Sequence, residues 1–383
     1  MKKQLQTDCL GVENDDLARY VAKAAAAQVP LSASFELTRR CSFACVHCYL
    51  GSQKAICQHQ DRELKTDAII GLLNEMVEAG TLFLTLTGGD PMLRPDFIRI
   101  YEHAVRIGLL VSVYCNGSLI TEAIADSFKK YPPRIVEITL YGATQKCFEE
   151  ITQKSGSYAA CMQGISRLRE AGIRLRLKTM AITLNYEELP AIRAMAEEFE
   201  VLFRHDCSII PALPNEDNEG HTNIAETNIQ EDNPKGTLRF RLSPEQATAV
   251  DLGADSMKSH FRELITRKKV LAGPSKKMYH CGAGQLSYHI TPYGRLQPCI
   301  VTRQPSVDLA ISSQGLLEEW YKMRDNFAAQ RATTDFPCTI CEDKELCTGC
   351  PTIFALEKGS PEEIPSFYCR YAVCRRQQSL QNS

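Results

Sequence analysis

From residue 33 onward the chain alternates two hydrophobic rhythms. Short runs rich in branched and aromatic residues, at Ser34–Leu37, Leu82–Leu86, Leu109–Tyr114, Ile135–Leu140, Arg174–Thr179 and Val201–Asp206, read as strands. Between them, Asp67–Ala79, Asp96–Ile107, Thr121–Lys130, Tyr158–Ala171 and Glu187–Phe199 repeat apolar residues at helical spacing. Strands separated by helices pair in parallel through helical crossovers, which places the chain in the α/β class. Six such units predict a partial, TIM-like (β/α)6 barrel, two units short of a full one. The polar stretch Asn215 to Gly236 reads as an insertion or linker. Leu242–Lys269 reads as helical, opened by Ser243-Pro244-Glu245 with serine as N-cap and proline at the first helical position.

The predicted strands carry a polar face. With a period of two, Thr85 and Thr87 share a side, as do Glu137 and Thr139, then Arg174, Arg176 and Lys178, then Arg204 and Asp206. Closed barrels fill their interiors with branched apolar residues, so a charged inner stripe predicts an open cavity for a polar ligand. An antiparallel sheet with one wet face would show the same alternation, but the intervening helices favour crossovers.

Composition narrows the setting. A chain of 383 residues with 44% hydrophobic residues can bury a large core. A formal charge of −2 offers no global basic field for nucleic acid or an anionic membrane. Met1 to Leu10 lacks the apolar run of a signal peptide, and no segment reaches the length of a membrane span, so a cytoplasmic setting is expected. There the 17 cysteines are expected to be ligands rather than disulfides. Three lie within Cys41–Cys48 and eight within Cys281–Cys374, while those at 9, 57, 115, 147, 161 and 207 stand singly and, apart from Cys115 near a candidate cofactor loop, read as small buried hydrophobes.

Cys41-Ser-Phe-Ala-Cys45-Val-His-Cys48 follows the first strand in a loop where three thiolates can converge. A 4Fe–4S cluster takes four ligands, so three cysteines leave one iron open to an outside ligand. A zinc site completed by His47 or His59 is the alternative, although zinc sites favour paired CxxC spacings.

CxxxCxxC at the end of a first strand resembles the signature of the radical S-adenosylmethionine (SAM) superfamily. The resemblance implies that SAM binds the open iron and is cleaved reductively to a 5′-deoxyadenosyl radical. It also assigns positions. His47 would lie beside adenine, with Tyr49 as neighbour. Thr87-Gly88-Gly89-Asp90-Pro91 resembles the family's GGE-type segment, with Asp90 for the commoner Glu, and Gly88, Gly89 and Asp90 would take the SAM ammonium. Asn116 and Thr139 fall where the family contacts ribose and carboxylate, and Lys178 would pair with the carboxylate. As bare GG and NG dipeptides these are ordinary turns; their order at successive strand ends is what sets them apart.

The second cluster runs Cys281, seventeen residues, Cys299, then Cys338-Thr-Ile-Cys341, five residues, Cys347-Thr-Gly-Cys350, and finally Cys369 and Cys374. It resembles the SPASM extension of peptide-modifying radical SAM enzymes, with Gly294 five residues before Cys299 and a hairpin expected around Pro292-Tyr293-Gly294-Arg295. One spacing departs, since two residues rather than three separate Cys347 from Cys350. By motif position Cys338, Cys341, Cys347 and Cys369 would hold one auxiliary 4Fe–4S cluster, and Cys281, Cys299 and Cys350 another, with Cys374 as its possible fourth ligand. Three clusters in all are expected. A zinc site on Cys338, Cys341, Cys347 and Cys350 is disfavoured by its short central spacer.

The expected order is an N-terminal extension (1–32), a radical SAM partial barrel (33–212), a polar insertion with connecting helix (213–273), a small cysteine-rich SPASM domain (274–375) and a tail (376–383). The expected activity is hydrogen abstraction from a peptide, most simply a ribosomally made precursor that acquires a cross-link. A flavodoxin or ferredoxin is the expected reductant, and leader recognition would fall to the enzyme body or a separate protein. No catalytic acid or base is assigned. Three rivals remain. A sulfatase maturase places an acid after the cysteine matching Cys299, where this chain has Ile300. A haem-precursor enzyme would use Arg174, Arg176 and Lys178 for propionates. A non-catalytic electron carrier or zinc protein would need neither the glycine motif nor the polar strand face.

Overall fold

The structure, a computed structural model, describes residues 15–57, 59–213, 236–253, 255–267, 276–333 and 335–381. The insertion expected over Asn215–Gly236 lies outside them except for Gly236. Six strands follow one another in sequence order: β1 (Ser32–Thr38), β2 (Phe83–Gly88), β3 (Leu110–Cys115), β4 (Ile135–Thr139), β5 (Leu175–Met180) and β6 (Leu202–Asp206), each parallel to its neighbour. After α1 (Asp15–Ala26) and the short α2 (Gln53–Cys57), the crossovers are α3 (Thr66–Glu78), α4 (Phe97–Arg106), α5 (Glu122–Lys130), a pair α6 (Gln145–Thr152) and α7 (Ser157–Glu170), and α8 (Leu189–Glu198). Helix α6 has no counterpart in the sequence reading; it is short and starts on a Thr144 side-chain cap rather than on a long apolar repeat.

Phe35, Leu37, Leu84, Leu86, Val111, Val113, Val136 and Ile138 point outward from the strands and are buried beneath the helices. Each such side chain contributes about 1.5–3 kcal/mol by leaving water, which fixes the face that turns inward. The residues between them therefore form the polar inner stripe, and parallel registration sets Glu137 beside Arg176, and Lys178 beside both Thr139 and Arg204.

The expected helix over Leu242–Lys269 is two helices, α9 (Pro244–Leu252) and α10 (Asp255–Arg267), with α9 ending at Gly253. Ser243 caps α9 in a reciprocal box with Gln246, and Pro244 occupies the first turn. Beyond it, β7 (Ser287–Ile290) pairs parallel with β1, and β8 (Arg295–Gln297) and β9 (Val307–Asp308) continue antiparallel, giving the sheet order β6-β5-β4-β3-β2-β1-β7-β8-β9. Tyr288, Ile290 and Leu296, with Trp320 and Met323 of α11 (Leu316–Ala328), join the barrel's own core. The cysteine-rich remainder, with α12 (Pro351–Lys358) and α13 (Ser366–Leu380), has a smaller core built on Met278, Phe336, Ile353, Phe354 and Tyr368. No helix among the described residues is long and apolar enough to cross a membrane.

Candidate active site and cysteine clusters

Cys41, Cys45 and Cys48 occupy the loop that leaves β1. The loop is pinned from below by the end of α6, where the Ile151 and Thr152 carbonyls accept the Val46 and Ala44 amides at 3.0 Å each. Gln53 Oε1 accepts the Cys41 amide at 2.7 Å, and Asn116 Nδ2 donates toward Cys41 Sγ at 3.5 Å. Burial pushes the Cys41 thiol up to about 12 and raises Cys45 and Cys48 as well, and the charges of neighbouring cysteines add to the shift at Cys41 and Cys45. A cationic centre would reverse that cost. The three sulfurs do not lie within 4.8 Å of one another, alone or with His47 or His59. One zinc ion would need them about 3.8 Å apart, given Zn–S bonds near 2.3 Å.

These thiols open into a cavity of about 410 Å³ that Gly88, Gly89, His47, Asn116, Thr139 and Lys178 also line. His47 is 8% exposed, meets Tyr141 edge-on at 5.0 Å and has no hydrogen-bond partner at Nδ1. Burial lowers its ring to about 4, so near neutral pH it is an uncharged imidazole. Lys178 Nζ stands 3.4 Å from Glu137 Oε1 and 4.9 Å from the Tyr114 ring centre. Glu137 also holds Arg176 at 3.5 Å and accepts from Arg204 Nη2 at 2.5 Å and Nε at 2.8 Å. One buried carboxylate thus gathers the three cations of β5 and β6 that face inward. Arg174 precedes β5 and is exposed.

Asp90 is placed differently from Gly88 and Gly89. It is fully buried, does not line the cavity, and accepts the Met92 amide at 2.9 Å and the Asn116 amide at 3.1 Å. The carboxylate therefore ties the β2 loop to the β3 loop. The two glycines also have a role within the protein. A Cβ on Gly88, whose φ is +149°, would meet the Thr38 carbonyl oxygen at 2.1 Å, and one on Gly89 would meet the Arg39 and Arg40 oxygens at 2.4 Å. They let the β2 loop pack against the backbone that delivers Cys41.

The later cysteines fall into two groups. Burial raises Cys338 to about 12, with Cys347, Cys341 and Cys369 as the neighbouring charges. Burial also raises Cys350, whose neighbouring charges are Cys299 and Cys281. Tyr279 feels the charge of this same trio and donates toward or accepts from Thr352 at 3.1 Å. Cys374 joins neither group. It sits beside Glu245 at 3.8 Å, because α13 carries it toward α9. Ile300, next to Cys299, reaches the wall of the 410 Å³ cavity. Sequence reasoning missed Tyr141, which sits beside Cys45, and Glu36, which is buried with Arg39 at 3.3 Å and His289 at 3.5 Å. The two-residue alternation that exposed Glu137 and Thr139 extends to both positions.

The fold and sequence have recognisable relatives. Residues 35–198 match the radical SAM superfamily. An "AdoMet-dependent heme synthase" of Methanosarcina barkeri is 25% identical over 89% of this chain and 97% of its own length. A "PqqA peptide cyclase" of Gluconobacter oxydans is 25% identical over 82% of this chain and 84% of its own. The crystal structure of Streptococcus suis SuiB bound to SAM superposes with a TM-score of 0.63 at 15% identity, covering 96% of this chain and 87% of SuiB. Residues 35–198 of this enzyme are therefore a radical SAM domain.

Proposed function

We propose that this enzyme modifies a peptide, with SAM in the 410 Å³ cavity and the substrate side chain entering beside β6. Cys41, Cys45 and Cys48 would hold the cluster, and the loops carrying Gly88, Gly89, Asn116 and Thr139, with His47 and Lys178, would hold SAM. Bound there, the pair supplies a carbon-centred radical able to take hydrogen from an unactivated carbon. The chain's own contribution is to orient and to keep water out. Cys338, Cys341, Cys347 and Cys369 would hold one auxiliary cluster and Cys281, Cys299 and Cys350 a second, reduced by a flavodoxin or ferredoxin.

The observation that carries the peptide reading is the chemistry of the wall away from Cys41. Met180, Ile209, Ile210 and Ile300 present apolar surface to the cavity. That wall suits an apolar side chain better than a propionate. Ile300 provides no acid–base group where a sulfatase maturase would have one.

The full-length similarity to the haem synthase supports a second reading, a haem precursor as substrate. The reconstituted, reduced enzyme decides between them. Deoxyadenosine formation should rise, and the peptide's mass should change, when a precursor peptide encoded beside the gene is supplied. Stimulation by a propionate-bearing haem precursor, with no response to the peptide, would overturn the proposal. Iron analysis should find about twelve irons per chain for three clusters.

A further inference from the structure

The last barrel strand, β6, ends in a group of side chains outside the SAM cavity's cysteine loop. His205 lies on β6, Cys207 follows its end, and Asp251 projects from α9. His205 Nε2, Cys207 Sγ and a carboxylate oxygen of Asp251 all lie within 4.8 Å of one another. Nε2 is 3.2 Å from Asp251 Oδ1, and Sγ is 4.0 Å from the same oxygen. Among the described residues no other three histidine, cysteine or acidic groups come so close. Around a zinc-class ion, with bonds of about 2.0 Å to nitrogen and oxygen and about 2.3 Å to sulfur, tetrahedral ligand atoms stand roughly 3.3–3.5 Å apart. The Nε2–Oδ1 pair already has that spacing, and Sγ would close on Oδ1 by about half an ångström.

The other oxygen of Asp251 is already committed. Tyr371 donates its hydroxyl to Oδ2 at 2.6 Å, and Arg375 Nε donates to Oδ2 at 2.8 Å, both from α13. Contacts of this kind orient a ligating carboxylate, and here they leave Oδ1 turned toward His205 and Cys207. Cys207 is 2% exposed and Asp251 6% exposed. His205, by contrast, borders both the SAM cavity and a 440 Å³ groove between α8, β6 and α9, so a fourth ligand can reach the site.

We propose that His205, Cys207 and Asp251 form a three-ligand site for a divalent ion of the zinc class, oriented by Tyr371 and Arg375, with its fourth position open to a water. The thiol gives its proton to solvent as the ion binds. Such an ion would fasten the barrel's last strand to the C-terminal helix, next to the proposed substrate entrance. The site does not depend on the peptide reading.

The test uses the full chain with its iron–sulfur clusters reconstituted, stripped of loosely bound metal, then given zinc alone and desalted. About one zinc per chain should remain, and zinc K-edge X-ray absorption should show a single sulfur ligand near 2.3 Å. Cys207→Ala and His205→Gln should lose the zinc while iron and sulfide stay unchanged. Tyr371→Phe, which removes only an outer contact, should weaken zinc binding about tenfold. If one substitution impairs folding, judged by circular dichroism and iron content, the other variants carry the comparison. Failure of wild type to retain zinc, retention by both Cys207→Ala and His205→Gln, or a shell of several sulfurs would overturn the site. In that case the Sγ contact to the Ala247 oxygen at 3.8 Å and the His205–Asp251 bond describe a hydrogen-bonded network only.

Discussion

Asp90 shows how one residue's environment redefines a motif position. Its two oxygens each accept one backbone amide, Met92 on Oδ1 and Asn116 on Oδ2. Burial raises its carboxyl from 3.8 to about 6, against the pull of the Asn116 and Met92 amides. Because the folded value lies above the unfolded one, the proton binds the folded state more tightly. This group's penalty on global stability is therefore relieved as pH falls from about 6 to 3.8. The joint between the two loops behaves oppositely, since a protonated carboxyl offers one acceptor fewer. SAM cleavage is expected to fall off below about pH 6, read as deoxyadenosine formed across a pH series. Asp90→Asn should be slow throughout and lose that inflection, because its amide turns an N–H toward an N–H at a cost of about 1–3 kcal/mol. An unchanged profile in the variant would remove Asp90 from the account.

The β2 loop and β4 show the same logic over whole elements. Glycine at 88 and 89 is required by the approach of the loop to Thr38, Arg39 and Arg40, whose oxygens a Cβ would meet at 2.1–2.4 Å. Those contacts are backbone and cannot swing aside. Gly88→Ala and Gly89→Ala should each displace the Cys41 loop, so that cluster content and SAM cleavage both drop, measured by iron content and by deoxyadenosine. A variant with full iron and full cleavage would refute this. In β4, Glu137 is wholly buried and serves three cations from β5 and β6. Glu137→Gln leaves them without their counter-charge and should cost about 3–5 kcal/mol in urea unfolding, against less than 1 kcal/mol for a substitution at exposed Asp67. The alternation that exposed this stripe was legible in the sequence, but its convergence on one carboxylate was not. Convergence depends on which strands are neighbours and in what register, and a single strand's pattern carries no such information.

At the scale of the whole molecule, the proposed clusters would divide the work. Cys41→Ala should abolish SAM cleavage, whereas Cys341→Ala should spare uncoupled cleavage, stop peptide product and lower iron by about four per chain. Product formed at the normal rate by Cys341→Ala would make that auxiliary centre purely structural. The six strands and their crossovers were legible because each rests on spacing within a few dozen residues. Cys374, which has no clear counterpart in the motif, is carried by α13 to Glu245. The parallel pairing of β7 with β1 was equally hidden, since it joins Ser34 to His289 across 255 positions. Local periodicity thus specified the α/β barrel, and motif spacing the placing of Cys41, Cys45 and Cys48 together on one cavity wall. Which cysteines sit together, which face Asp90 turns to, and how β7 completes the sheet were settled by long-range packing, because burying one continuous apolar core selects contacts that no short stretch of chain encodes.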